Sequence, residues 1–259
     1  MHLFRRTATT ALVLTLAGGL AACGSSDTAA TSNGKTTTTG AAGEGAAFCD
    51  ATVAFNTALF SNDLNAQTPK ADIISAGGKL ITLFKAVADS APASLTDQAN
   101  ELQATLAPLA QGDATTFSDP ATQATYGKFL STASTDCPWA KTDVTATDYA
   151  FAAPDTIQSG AVVFSFTNAA KDENHEMVLL RKGPGVNLTW KEILALPQDQ
   201  GQSKTEFITA AQAGPGEHTT ALTTLEPGNY AMVCFLPMGG KEGAPPHFTQ
   251  GMFHEFTVS

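Results

Sequence analysis

The spacing of apolar residues changes near Trp139, and this change separates a helical part of the chain from a β-rich part. Upstream, apolar residues recur every three or four positions, which is typical of the buried face of an α-helix. Downstream, short segments with alternating polarity are rich in β-branched and aromatic residues, which is typical of strands. The sequence therefore predicts an α+β multidomain protein, with a small helical bundle over residues 46–138 and a β-sandwich or barrel over residues 140–259.

The helical part is predicted to contain four helices. Residues suited to capping precede three of them, at Thr68-Pro69, Ser94 and Asp119-Pro120. This part suggests no chemistry, since no histidine occurs between residues 3 and 174 and its acidic residues are scattered singly. We expect it to act as a spacer or docking domain.

The first residues are predicted to form a targeting signal. Arg5 and Arg6 precede an uncharged apolar run over residues 8–20, which is too short to span a bilayer. The run ends in Leu20-Ala21-Ala22-Cys23, which resembles the lipobox of bacterial lipoproteins. The resemblance implies a signal peptide over residues 1–22 and palmitate-type lipidation of Cys23. The alternative is an ordinary secretory peptide with an incidental cysteine.

A lipidated protein of this kind is held at the outer face of the cytoplasmic membrane. Residues 23–45 are mostly Ser, Thr, Ala and Gly, so we expect a disordered tether. The formal net charge of −10 disfavours nucleic acid as a partner and favours a cationic protein.

The four cysteines of an exported chain need individual explanations. Cys23 is assigned to lipid. Cys49 and Cys137 flank the helical part, and in an oxidising compartment a disulfide between them is the expected arrangement. Cys234 then has no partner, and metal ligation is the most common reason to keep such a cysteine.

The C-terminal sequence resembles the copper-ligand loop of plastocyanin-like cupredoxins. Cys234 ends a predicted strand, Pro246-His247-Phe-Thr-Gln-Gly251-Met252 follows, and a last strand begins at once. His175 follows an upstream strand that ends in Asn168, where the family places its other histidine. The resemblance implies a Greek-key sandwich with one type 1 copper, bound by the imidazoles of His175 and His247, the thiolate of Cys234 and, axially, the thioether of Met252.

Two features depart from the plastocyanin pattern. Twelve residues separate Cys234 from His247 where plastocyanin has two, although the Gly- and Pro-rich insert could bulge out while its ends stay close. Glu176 stands where plastocyanin has the asparagine that braces the thiolate loop. His254 and Met238 are further residues that could add or replace a ligand.

These features favour a membrane-anchored type 1 copper electron carrier. The alternatives are a copper chaperone or storage module, which would use the same soft ligands, and a cupredoxin-like binding domain without metal. An enzyme is not expected, because the sequence offers neither a second histidine cluster for a catalytic copper nor a Ser/His/Asp arrangement.

Overall fold

A computed structural model of the protein describes residues 41–61, 68–117 and 119–259. The predicted signal peptide, Cys23 and most of the predicted tether lie outside the described residues. Helix α1 begins at Ala41, within the last residues of that tether. None of the helices in the described ranges is both long enough and apolar enough to cross a bilayer.

Four helices form the N-terminal part, and their apolar faces share one core. They are α1 (Ala41–Ser61), α2 (Lys70–Asp89), α3 (Thr96–Leu106), which continues as the 3-10 helix Ala107–Gln111, and α4 (Pro120–Asp136). A disulfide joins Cys49 on α1 to Cys137 directly after α4. The bridge spans a sequence separation of 88 residues, and in the chain-entropy model closing a loop of that size stabilises a fold by roughly 4–5 kcal/mol.

One of the predicted helix caps is at Asp119. The Asp119 side chain accepts a hydrogen bond from the Thr122 N–H, as expected for an N-cap. The N-cap residue of α2 is Pro69, and that of α3 is Leu95. The Ser94 hydroxyl lies 3.3 Å from an Asp136 carboxylate oxygen, so a contact to the end of α4 replaces the expected cap.

Residues 140–259 form a sandwich of two mixed sheets. The strands are β1 (Ala140–Thr147), β2 (Ala150–Ala152), β3 (Thr156–Ile157), β4 (Gly160–Asn168), β5 (His175–Lys182), β6 (Thr205–Ala213), β7 (His218–Leu225), β8 (Gly228–Val233) and β9 (Phe253–Val258), and the short helices α5 (Trp190–Leu194) and α6 (Gln198–Gln202) lie between β5 and β6. The first sheet has the order β2-β1-β4-β7 and the second has the order β3-β9-β8-β5-β6. The predicted architecture, a helical part followed by a β-sandwich, is confirmed.

The helical bundle packs on the outer face of the first sheet. Val163 on β4 and Leu222 on β7 point away from the sandwich interior and are buried in the core of the bundle. The Asn56 amide donates a hydrogen bond to the Leu222 carbonyl, and its oxygen accepts one from the Tyr126 hydroxyl at 2.7 Å. Gly127 lets α4 approach β7 closely, since a Cβ there would lie 3.1 Å from the Thr219 hydroxyl. The helical part is therefore joined to the sandwich through a shared core.

Strand β5, which begins at His175, is covered on both faces. Met177 and Leu179 face the sandwich interior, whereas Val178 and Leu180 pack under Trp190 of α5. Alternating polarity is lost in such a strand because both faces are apolar. The candidate site is thus built on an interior strand that is covered on both faces.

Candidate metal centre

The predicted ligands lie close together because each stands at or next to the end of a strand or 3-10 helix, and these ends are neighbours. His175 is the first residue of β5, and Cys234 directly follows β8. His247 begins the 3-10 helix His247–Gln250, and Met252 directly precedes β9. All four side chains are buried with no measurable exposure, so the site is closed to bulk water.

The donor atoms of three residues converge. His175 Nδ1 lies 3.1 Å from His247 Nδ1, and Cys234 Sγ lies 3.3 Å from His247 Nδ1 and 4.0 Å from His175 Nδ1. Met252 packs in the same core cluster as Cys234. Its N–H donates to the His247 carbonyl at 3.3 Å, and its carbonyl accepts from the Cys234 N–H at 3.2 Å.

Burial determines the protonation of these groups. It raises the pKa of the Cys234 thiol to about 12, although backbone hydrogen bonds from Glu176 and Leu236 oppose part of the shift. Burial also lowers the pKa of both imidazoles, and the neighbouring His247 adds to the lowering at His175. Two neutral imidazole nitrogens and one sulfur therefore face one another, with a thioether residue beside them. This soft donor set fits one type 1 copper ion.

The long insert between Cys234 and His247 is closed by a neck of backbone contacts. The His247 N–H donates to the Leu236 carbonyl at 2.9 Å, and Pro237 pairs with Pro246 in an isolated bridge. The Phe248 N–H also donates to the Cys234 carbonyl at 3.0 Å. Most residues beyond the neck are exposed, whereas Cys234 Sγ and His247 Nδ1 lie 3.3 Å apart.

Glu176 braces the thiolate loop, although its chemistry differs from that of the asparagine in plastocyanin. Its carboxylate accepts a hydrogen bond from the Phe235 N–H at 3.0 Å, and its own N–H points at Cys234 Sγ at 3.5 Å. Burial raises the pKa of the Glu176 carboxyl, and the Phe235 hydrogen bond opposes that rise. Glu176 therefore links the upstream and downstream ligand segments.

Asn168 fixes the loop that leads to His175. Its amide donates to the carbonyls of Glu173 and Ala213, at 2.8 and 3.0 Å, and its oxygen accepts from the Ala170 N–H at 2.9 Å. A fully buried amide with three partners holds the turn in one conformation.

The two additional candidate ligands lie apart from the convergent atoms. His254 pairs across the sheet with Met232, and its Nε2 lies 3.3 Å from the Pro154 carbonyl and 3.5 Å from an Asp155 carboxylate oxygen. Met238 begins the 3-10 helix Met238–Gly240 in the insert beyond the neck and is half-buried.

Sequence reasoning missed two residues that cover His247. The ring of Tyr149, on the turn between β1 and β2, meets the His247 ring edge-on with centroids 5.1 Å apart. Glu173, two residues before His175, lies with its carboxylate 3.6 Å from His247 Nε2. Only the position of Glu173 on a ligand-bearing loop could have drawn attention to it.

Comparison with known proteins gave matches among solved structures alone, because no family model and no curated relative matches the chain. Auracyanin from Roseiflexus castenholzii is 23% identical over 46% of this chain and 96% of its own length, with a TM-score of 0.32. Auracyanin A from Chloroflexus aurantiacus, described as a "blue" copper protein, is 19% identical over 46% and 98%, with a TM-score of 0.31. Rusticyanin from Thiobacillus ferrooxidans is 16% identical over 46% and 77%, with a TM-score of 0.30. Multicopper oxidases also match, at lower identity.

The C-terminal part combines a two-sheet sandwich, a buried group formed by His175, Cys234 and His247, and Met252 directly before the last strand. The order of these residues along the chain agrees with the resemblance found in the sequence. The C-terminal part therefore offers two imidazoles and one thiol with a thioether residue beside them, the donor set that type 1 copper takes.

Proposed function

We propose that this protein is a type 1 copper electron carrier, tethered by lipid on Cys23 to the outer face of the cytoplasmic membrane. The observation that carries the proposal is the buried convergence of His175 Nδ1, His247 Nδ1 and Cys234 Sγ beside Met252. Copper bound by such a set supplies reversible one-electron transfer.

The protein's own residues hold the donors still and exclude water. Backbone hydrogen bonds link Met252 to both His247 and Cys234, and Glu176 ties the Cys234 segment to β5. A scaffold that fixes the donors restricts their rearrangement when the charge at the site changes. This rigidity favours an electron carrier over a module that must release its metal.

Copper titration of a soluble form beginning at Gly24 tests the proposal. We expect one copper per chain, an intense thiolate-to-copper charge-transfer band, a type 1 paramagnetic-resonance spectrum and a reversible one-electron wave. Binding of Cu(I) without a coloured Cu(II) form would indicate a chaperone or store. Absence of stoichiometric copper binding would indicate a binding domain without metal.

Copper uptake is expected to release about one proton per ion at pH 7. The raised pKa of Cys234 keeps the metal-free thiol protonated, whereas the lowered pKa values of His175 and His247 leave both imidazoles neutral. The metal must therefore displace the thiol proton alone, so affinity should rise about ten-fold for each pH unit near neutrality. Calorimetry in buffers of different ionisation enthalpy measures this proton. Affinity that does not change with pH would contradict a thiolate ligand.

Membrane attachment is expected to depend on Cys23. The variant Cys23→Ser should lose lipidation, and the protein should then be released from membranes or remain unprocessed, whereas Ser25→Ala should behave as wild type. Detergent phase partitioning and the mass of the N-terminal peptide report both properties. A Cys23→Ser protein of mature size that stays with membranes would contradict the lipoprotein assignment.

The net charge of −10 supports a cationic redox partner, which long-range attraction would steer to this surface.

A further inference from the structure

We infer that Glu173 is a positioning residue that holds His247 through its outer ring nitrogen and ties the long insert to the metal centre. The inference rests on the proposed copper site, because it concerns a ligand of that site. Its starting point is His247 Nε2, a buried atom without a hydrogen bond inside the normal distance range in the part of the chain that the structure describes.

The orientation of the His247 ring decides which nitrogen carries the proton. Nδ1 faces the sulfur of Cys234 and the other imidazole, so it supplies the lone pair for a metal. A neutral imidazole that binds through Nδ1 carries its proton on Nε2. That proton then points towards Glu173 Oε2, which lies 3.6 Å from Nε2. Metal-binding histidines commonly donate their other N–H to a carboxylate, which fixes the ring and strengthens the ligand.

The same carboxylate also binds the insert. Its two oxygens lie 3.0 and 3.2 Å from the N–H of Gly239, in the bulge beyond the neck. Gly239 has a positive φ of 63°, a conformation that glycine adopts without strain. The Glu173 side chain thereby connects the imidazole of His247 with Gly239, in the exposed insert that precedes His247.

The turn before His175 keeps Glu173 in place. Its backbone carbonyl accepts the Asn168 amide at 2.8 Å, so the residue belongs to this braced turn. Tyr149 covers the imidazole that Glu173 faces, since its ring meets the His247 ring edge-on with centroids 5.1 Å apart. Glu173 therefore links the upstream ligand turn to the downstream ligand.

The carboxylate adds negative charge close to a ligand, and that charge favours the more highly charged Cu(II) over Cu(I). The Glu173 side chain is 21% exposed, so solvent screens this charge only in part. Loss of Glu173 should consequently weaken Cu(II) binding more than Cu(I) binding and raise the reduction potential.

The test compares Glu173→Ala and Glu173→Gln with Asp172→Asn in the protein beginning at Gly24. Asp172 is exposed and adjacent, so its variant removes the same charge without the contact. We expect Glu173→Ala to lower Cu(II) affinity about 10- to 100-fold. Glu173→Gln keeps a neutral acceptor and should lose less Cu(II) affinity. Asp172→Asn should bind Cu(II) with nearly the wild-type affinity. If the variant loses more affinity for Cu(II) than for Cu(I), the reduction potential should rise. The rise should be about 59 mV for each factor of ten between the two losses of affinity.

Two further readouts separate ligand positioning from loop anchoring. In the Cu(I) protein, the His247 Nε2 proton should exchange slowly with solvent in wild type and much faster in Glu173→Ala. In the metal-free protein, the Gly239 amide should lose protection in the same variant. Loss of protection at Gly239 with unchanged affinity and potential would show a loop anchor and overturn the inference, as would equal effects of Glu173→Ala and Asp172→Asn. If wild type itself shows no thiolate band, the proposed copper function fails first.

Discussion

Replacement of Cys234 by serine is expected to abolish the charge-transfer band completely, because the band requires a copper–thiolate bond. Serine is close in size to cysteine and should fit the fully buried position, so the metal-free fold should persist. With free copper about 1,000-fold above Kd, wild type should gain about 4 kcal/mol of stability. For a chain of this size that corresponds to a rise in Tm of roughly 8–16 °C. The Cys234→Ser protein should show almost none of this rise.

Met252→Leu is the matched comparison, because it also changes a buried sulfur residue of the site. The axial thioether bond in type 1 centres is long and weak, so this variant should keep copper and colour while its spectrum and potential shift. Visible spectra and calorimetry with and without copper measure both variants. A coloured copper complex of Cys234→Ser, or complete loss of copper from Met252→Leu, would contradict the assigned roles.

Replacement of His247 by alanine should weaken copper binding severely, since the ion would lose one of its two imidazoles. The backbone neck does not depend on the His247 side chain, so the insert should stay closed and the metal-free protein should remain folded. His254→Ala is the control, because the His254 ring contacts the Pro154 and Asp155 segment. It should leave colour and affinity nearly unchanged.

Copper titration and paramagnetic resonance of the two histidine variants decide between these residues. A blue site that survives in His247→Ala and disappears in His254→Ala would transfer the downstream ligand role to His254. The sandwich would be unaffected by that outcome, since its cores are formed by other residues.

The division into helical and β-rich parts was predictable because apolar spacing reports secondary structure directly. The grouping of His175, Cys234, His247 and Met252 was predictable through their order along the chain, although no spacing rule covers an insert of this length. The neck at Pro237 and Pro246 explains why the insert does not separate Cys234 from His247.

Other features depend on which surfaces meet, and a sequence does not show this. Val163 lies within an apolar run, and the sequence does not show what its outward face contacts. In the structure the helices cover that face. In the sequence, nothing distinguishes Glu173 from other acidic loop residues. Its contact with Gly239 of the insert is visible only in the folded structure. Glu176 was visible as a departure from the family, but its contact with Phe235 required the folded positions of both segments.

Strand β4 belongs to two cores at once, with Val163 in the bundle and Phe164 in the sandwich interior. Because the two parts share a strand, we expect them to unfold together, so that a ligand bound by one part would protect both. The degradation of most folded proteins proceeds through their unfolded population, which a bound ligand depletes. A metal ion held at one end of the sandwich would therefore extend the lifetime of the whole chain, including helices that never touch it, and the abundance of the protein would follow the supply of copper.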